Sequence, residues 1–214
     1  VNRKTESFRL VGMDHYNAMF EHKSTGSWWR QANGVAVTGP LTGDSLPLLP
    51  SVQLSVGELL RRYPDAQIML ADASAKALYD STGNFEKGKS VSRLTRTDTA
   101  SWQNKSWVIG VEAGSRSKAY DWKTLKRMGM IQDQVGGVPV LIVLFPDGQG
   151  FDAFERPSAE SLFRLQGDTL FCSTDAFNLD GKGLTPGTVP LKRLKVRQEF
   201  WHSWKTFHPD TERD

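Results

Sequence analysis

The segment Val138-Pro139-Val140-Leu141-Ile142-Val143-Leu144-Phe145 (VPVLIVLF) is the longest apolar run in the sequence. A membrane-spanning helix needs roughly 18 apolar residues, and this run is far shorter. Its length is typical of a buried strand, and it follows Gly136-Gly137, which is a turn signal. We therefore predict a buried β-strand here and no transmembrane segment in the chain.

The sequence around this run predicts further strands. Residues 107–111 and 117–120 have the composition of a hairpin that turns at Gly114, and residues 131–135 lead directly into the apolar run. Between them, residues 123–127 predict a short helix that ends before Gly129. This part of the chain is therefore expected to be an antiparallel sheet.

The first third of the sequence predicts a β-meander. Phe8 and Leu10 alternate with polar residues, and residues 16–20 keep the same two-residue period. Ser55, with Glu58 three residues later, predicts the start of a helix. A last helix is predicted over residues 198–207, because its aromatic residues recur at helical spacing.

Short motifs of the first part return in the same order near the end. Phe8-Arg9-Leu10 is matched by Phe163-Arg164-Leu165, and the segment at residues 24–28 by residues 173–177, which pairs Trp28 with Phe177. We expect an old duplication. The predicted fold is α+β, predominantly antiparallel β, with two degenerate halves that are each closed by a short helix. Residues 1–71 form the first β-rich half, 72–106 a connecting loop and 107–214 the second β-rich half, either as separate units or as one compact domain.

Composition excludes several classes of function. The 27 basic and 24 acidic residues are interspersed and leave a net charge of +3, which does not favour nucleic-acid binding. No phosphate-binding loop, dinucleotide motif or nucleophile elbow is present, so we expect no cofactor and assign no catalytic residue. The single cysteine, Cys172, lies in an apolar stretch and is predicted to be a buried, inert thiol.

Adjacent tryptophans are the strongest candidates for a binding site. Neighbouring side chains on a strand point to opposite faces, so one indole is expected in the core and the other in contact with solvent or a partner. The match of Trp28 with Phe177 makes Trp28 the structural one. Trp29, with Arg30 and Gln31 beside it, and Trp201 of the last helix are therefore the predicted contacts for another protein or a glycan. The alternative for Trp29 is packing under a neighbouring loop.

An alternative is a metal-dependent hydrolase with its site between the two halves. His15, His208, Asp14 and Asp210 are residue types that bind zinc or a similar ion. None has a recognised short ligand spacing, so turn, cap and surface roles compete with metal binding. We therefore predict no metal site and keep these four residues as candidates.

The sequence resembles the bacterial domain-of-unknown-function family DUF 3179. The resemblance rests on the Phe-Arg-Leu-x-Gly strand at residues 8–12, Thr-Gly-Ser-x-Trp at 25–28, Gly-Pro-Leu-x-Gly at 39–43 and the helix that closes at Tyr63-Pro64-Asp65. Ile109-Gly110-Val111 and the Gly-Gly-Val-Pro-Val segment at 136–140 resemble another recurring block of the family.

The usual order of motifs in the family implies that the front half of the first copy would lie before Val1. A cysteine-containing motif of the family is replaced here by residues 144–148, so no role of that motif is transferred. Family members are commonly exported, which implies a periplasmic or cell-surface location. The sequence thus predicts a non-catalytic binding or assembly component of an extracytoplasmic bacterial protein.

Overall fold

The computed structural model describes residues 5–15, 17–49, 51–75 and 97–214. Most of the predicted connecting loop, at residues 76–96, lies outside these ranges, as does Tyr16. The described part is mostly β, with antiparallel sheets and three α-helices, and this confirms the predicted predominance of antiparallel β-structure. Its strands form four sheets, in which only the pairing of β6 with β15 is parallel within the described ranges.

The first sheet is a meander in which each strand pairs with the next one along the chain. Its strands are β1 (Phe8–Asp14), β2 (Asn17–His22), β3 (Ser27–Arg30) and β4 (Ala36–Thr38). Helix α1 (Val56–Arg62) follows, and a short 3-10 turn (Ala73–Ala75) comes after it. The Ser55 side chain accepts a hydrogen bond from the Glu58 backbone N–H at 3.1 Å, which confirms the predicted N-cap.

The central part of the chain, together with its last three strands, forms two four-stranded sheets that enclose an apolar core. Ile109 and Tyr120 of one sheet pack here with Val140 and Ile142 of the other, and all four are fully buried. The elements in chain order are β5 (Trp107–Ala113), β6 (Arg116–Asp121), α2 (Trp122–Met128), β7 (Met130–Val135), β8 (Val138–Leu144) and β9 (Phe151–Glu155). The predicted strand in VPVLIVLF is β8, and α2 ends at Gly129 as expected.

A second meander covers the opposite face of β8. It consists of β10 (Arg164–Gln166), β11 (Thr169–Cys172) and β12 (Asp175–Asn178). Successive side chains of a strand point to opposite faces, so Leu141 and Val143 pack against Leu170 and Phe177 in a separate cluster. Strand β8 is thus buried on both faces. Cys172 also lies in this cluster and is buried, as predicted.

The chain ends with β13 (Lys192–Arg193), β14 (Lys195–Phe200), helix α3 (Trp201–Phe207) and β15 (Glu212–Arg213). The prediction that the last helix begins at residue 198 is wrong. Residues 198–200 continue β14, because all six residues of that strand pair with β5. Trp204 of α3 is fully buried over Gly110, where an added Cβ would lie 2.0 Å from the indole ring.

Helix α1 is held to the second meander by charged side chains. Glu58 is 4% exposed, and its carboxylate accepts hydrogen bonds from Arg61 and Arg62. Arg62 also donates to Asp180 at 3.1 Å and lies 3.8 Å from the centre of the Phe145 ring. This network places the helix that follows the first sheet against the second meander.

Candidate functional site

The two adjacent tryptophans lie in β3, and their exposure is the reverse of the prediction. Trp29 is 7% exposed, whereas Trp28 is 40% exposed. The assignment of Trp28 to the core is therefore wrong, and Trp29 is packed, which was the alternative to a partner contact. Trp28 is the indole that can meet a partner, and it stands beside Glu21 of β2.

Turn length explains this error. Four residues join β2 to β3, since His22 pairs with Ser27, but two residues join β11 to β12, since Cys172 pairs with Asp175. Aligning residues 24–28 with residues 173–177 position by position therefore offsets the two strands by one residue. An offset of one residue assigns every side chain to the opposite face of the sheet. When the sheets are matched by cross-strand pairing, Trp29 corresponds to Phe177.

The predicted neighbours of Trp29 have distinct surroundings. The Arg30 Nε donates to Asp14 Oδ2 at 2.7 Å, and its guanidinium lies 5.6 Å from the centre of the Phe207 ring. Gln31 is exposed, and its Oε1 accepts a hydrogen bond from the Ala18 backbone at 3.1 Å. Arg30 therefore helps to join the first sheet to α3, while Gln31 faces a cavity.

Apolar side chains on one face of the first sheet remain open to solvent. Cross-strand pairs place Leu10, Phe20 and Trp29 in one row. Leu10 is 65% exposed, although Trp29 at the other end of the row is buried. Phe8 and Met13 lie on the same face of β1 and are also exposed. We call Phe8, Leu10 and Met13 the β1 apolar face.

The second meander has the same arrangement but is covered. Leu165, Leu170 and Phe177 form the corresponding row through their cross-strand pairs. Leu170 and Phe177 are buried, and so is Phe163 just before β10. Their cover is the sheet that contains β8, as described above. The β1 apolar face has no such sheet over it in the described part of the chain.

A junction of polar side chains connects the first sheet to α3 and β14. His15 Nδ1 and His202 Nε2 are 3.0 Å apart. Asn17 Nδ2 donates to Ser203 Oγ at 2.6 Å, and Ser203 Oγ donates to Glu199 Oε2 at 2.5 Å. Burial raises the pKa of the Glu199 carboxyl and lowers the pKa of His202. The junction therefore holds residues far apart in sequence in one hydrogen-bonded group.

Arg197 extends this junction towards the end of the chain. Its guanidinium donates to the Ala32 carbonyl and to Glu112 Oε1, the latter at 3.0 Å. His208 Nε2 lies 3.4 Å from the same Glu112 oxygen. The hydrogen bond from His208, together with the charge of Arg197, lowers the pKa of Glu112 to about 2. Glu112 is therefore ionised, and the charge of Arg197 is compensated.

Trp201 lies apart from these groups, in an aromatic cluster. Its ring meets Trp102 edge-on at 5.2 Å between centres. The Arg213 guanidinium lies over both rings, and the Lys205 ammonium lies 5.8 Å from the centre of the Trp201 ring. Trp201 is partly buried by this arrangement. The predicted contacts Trp29 and Trp201 therefore belong to separate regions.

The four metal candidates are distributed over two places. His15 Nε2 lies 3.5 Å from Asp14, whose other carboxylate oxygen binds Arg30. His208 instead contacts Glu112, and Asp210 lines the open surface beside it. Within residues 5–15, 17–49, 51–75 and 97–214, no three His, Cys, Asp or Glu side chains are placed to hold a metal ion.

Comparison with known proteins identifies the family. A family model described as "Protein of unknown function (DUF3179)" matches residues 2–211, and the chain belongs to this family. The resemblance inferred from the sequence motifs is thereby confirmed. No curated protein and no solved structure matches the chain. Among the described helices, none combines the length and the apolar character needed to cross a membrane.

Proposed function

We propose that this member of the DUF3179 family is a non-catalytic assembly component of an extracytoplasmic bacterial protein. In this proposal a partner protein binds the β1 apolar face. The supporting observation is the difference between two similar surfaces, since Leu10 is 65% exposed whereas Leu165, at the same place in the second meander, is partly buried against the β8 cluster. Exposed apolar patches of this kind are typical of interaction sites.

The proposed partner is an antiparallel β-sheet that presents an aliphatic strand. This choice follows from the cover of the second meander, where Leu141 and Val143 of β8 pack on Leu170 and Phe177. It treats the two meanders as degenerate copies of one unit. Two sheets that pack face to face bury alternate side chains of each strand, which matches the spacing of Phe8 and Leu10.

The position of the surface also favours a protein partner. Strand β1 is at the edge of its sheet, so one side of its backbone has no neighbouring strand in the described structure. Burying one large apolar side chain contributes about 1.5–3 kcal/mol, and three such side chains project from β1. A partner sheet could gain backbone hydrogen bonds at the same edge.

Site-specific photocrosslinking tests this proposal. A benzophenone amino acid would replace Leu10 in the full chain, in cells of the source organism. The matched control carries the same group at Leu162, which is 67% exposed but lies outside the meanders. We expect an adduct with a β-sheet protein from Leu10 and none from Leu162.

The adduct masses decide the outcome. Absence of an adduct at Leu10, or equal adducts at both positions, would contradict the proposal. An adduct with twice the mass of the chain would assign the surface to a second copy and overturn the choice of a different protein. Cell fractionation after crosslinking tests the location, since recovery of the adduct with cytoplasmic proteins would contradict an extracytoplasmic role.

A further inference from the structure

A cavity at the free edge of β14 is suited to a small ligand. The cavity has a volume of about 230 Å³ and wraps around residues 196–199 of the strand. Residues 51–53 form the opposite wall, and Asn17 and Gln31 of the first sheet also line it. Strand β14 is the edge of its sheet, so its outer backbone edge faces away from β5. Both faces of the strand therefore contribute side chains.

Side-chain amides dominate the polar lining of this cavity. Gln53 and Gln198 make no side-chain hydrogen bond within the described ranges of the chain. In bonds to other described residues, Gln31 uses its carbonyl oxygen only, and Asn17 uses its amide nitrogen only. The remaining amide groups supply both donors and acceptors. A ligand hydroxyl, which donates and accepts, fits such a set.

Charge in the cavity wall is compensated, which disfavours a charged ligand. Arg197 contacts Glu112 at 3.0 Å and lies 3.9 Å from Glu199. Glu199 is largely shielded from solvent and accepts a hydrogen bond from Ser203. Because these pairs already compensate the charge of Arg197, this side chain attracts an anion less than an unpaired guanidinium would. A neutral ligand leaves them intact.

An apolar surface completes the lining. Phe151, which is 5% exposed, and the partly buried Val52 line the cavity together with the amides. Small-molecule sites combine such apolar area with a few placed polar groups. The C–H face of a sugar ring packs well on an aromatic or aliphatic side chain, while its hydroxyls point to the amides. The volume suits one ring.

From this lining we propose that the β14 cavity binds a neutral, hydroxyl-rich ligand, namely a single pyranose unit, either free or at the end of a glycan. Gln31, Gln53 and Gln198 hydrogen-bond its hydroxyls, and Phe151 contacts its apolar face. This site is independent of the β1 apolar face, so either proposal can fail without the other.

Protein-observed NMR tests the site with free glucose, galactose and N-acetylglucosamine as probes. We expect at least one sugar to shift the side-chain amide signals of Gln53 and Gln198 at millimolar concentration. A Gln198→Leu variant should bind the sugar about tenfold more weakly, because the ligand loses its hydrogen bonds to the Gln198 amide. The matched control is Gln166→Leu, on the exposed edge strand β10, which should bind the sugar as the unmodified chain does.

A Gln53→Ala variant removes a second amide from an exposed segment and so carries little risk to folding. It should also weaken binding, with an unchanged circular dichroism spectrum. The proposal is overturned if none of the sugars shifts the amide signals, or if Gln198→Leu and Gln53→Ala bind as tightly as the control. Stronger binding of phosphate or acetate than of every sugar would likewise overturn it, because the site would then prefer an anion. If a disaccharide binds more tightly than its free monosaccharide, the natural ligand is the terminal residue of a glycan and not a free sugar.

Discussion

Helices α1 and α3 have the same length and the same end geometry but different attachments. Each has seven residues and closes at a residue followed by Pro-Asp, and the backbone angles of Tyr63 and His208 at these ends differ by less than about 10°. In each helix the final N–H donates to a carbonyl four residues earlier, that of Leu59 in α1 and of Trp204 in α3. The two helices therefore have closely similar backbone ends.

Their side chains explain the difference in attachment. Trp204 is fully buried between Val108, Ala119 and Gly110, so α3 is fixed by close apolar packing. In α1 the buried side chain is that of Glu58, and the helix is fixed through Arg62, which pairs with Glu58 inside the helix and with Asp180 outside it. Two helices with similar backbones are thus attached in different ways, α3 by apolar packing and α1 by ion pairs. We expect the stability of the two attachments to respond differently to substitution and to pH.

The largest expected effect concerns the apolar attachment. Trp204→Ala should lower the free energy of unfolding by about 4 kcal/mol, because it leaves a large cavity and removes the stacking on His208. The equivalent Leu59→Ala in α1 should cost only about 1 kcal/mol, since Leu59 is partly exposed. Urea unfolding of both variants measures the difference. Similar losses would contradict the distinction between the two helices.

A second substitution tests the ionic attachment of α1. Arg62→Met should cost about 3 kcal/mol, because it leaves the buried Glu58 and Asp180 with fewer partners. The control is Lys192→Met. The Lys192 side chain is 77% exposed in its ion pair with Glu155, so its loss should cost less than about 1 kcal/mol. If unfolding in urea gives equal losses, the buried position of Arg62 has no special role.

The smallest expected effect is a difference in pH dependence. Asp152 is buried beside Arg193, and burial raises its pKa to about 6. The folded protein therefore binds a proton at this carboxyl before the unfolded chain does, and stability should rise by about 1 kcal/mol from pH 7 to pH 5. Asp152→Asn should remove this gain in unfolding experiments at the two pH values.

Glu112, next to α3, provides the opposite case. Its pKa of about 2 lies below its usual value, so its contribution is present above pH 4.5 and is lost as the pH falls towards 2. Glu112→Gln should reduce the loss of stability between pH 5 and pH 3. A variant with the same pH dependence as the unmodified chain would contradict the assigned ion pairs.

Local signals in the sequence predicted much of the fold. The Ser55 cap of α1 and the Gly129 end of α2 depend on neighbouring residues only, and both are confirmed. The start of α3 depends on pairing between β14 and β5, which are distant in sequence. Pairing overrides the helical spacing of the aromatic residues, so the predicted start at residue 198 was wrong.

The candidate sites were less predictable, because they depend on register and on contacts between distant segments. The faces of Trp28 and Trp29 were reversed by a two-residue difference in turn length. The contact of His15 with His202, and the cavity between residues 51–53 and β14, join segments that no short motif connects. Of the residues predicted as partner contacts, Gln31 lines the cavity at β14.

Cys172, the single cysteine, is 9% exposed in the cluster beneath the second meander. A shielded thiol of this kind reacts slowly with maleimide reagents. A cysteine introduced at an exposed position, as in Leu10→Cys or Gln53→Cys, would therefore be the preferred point of attachment for a fluorophore or spin label. A label can therefore be attached to either surface for distance measurements without first replacing Cys172.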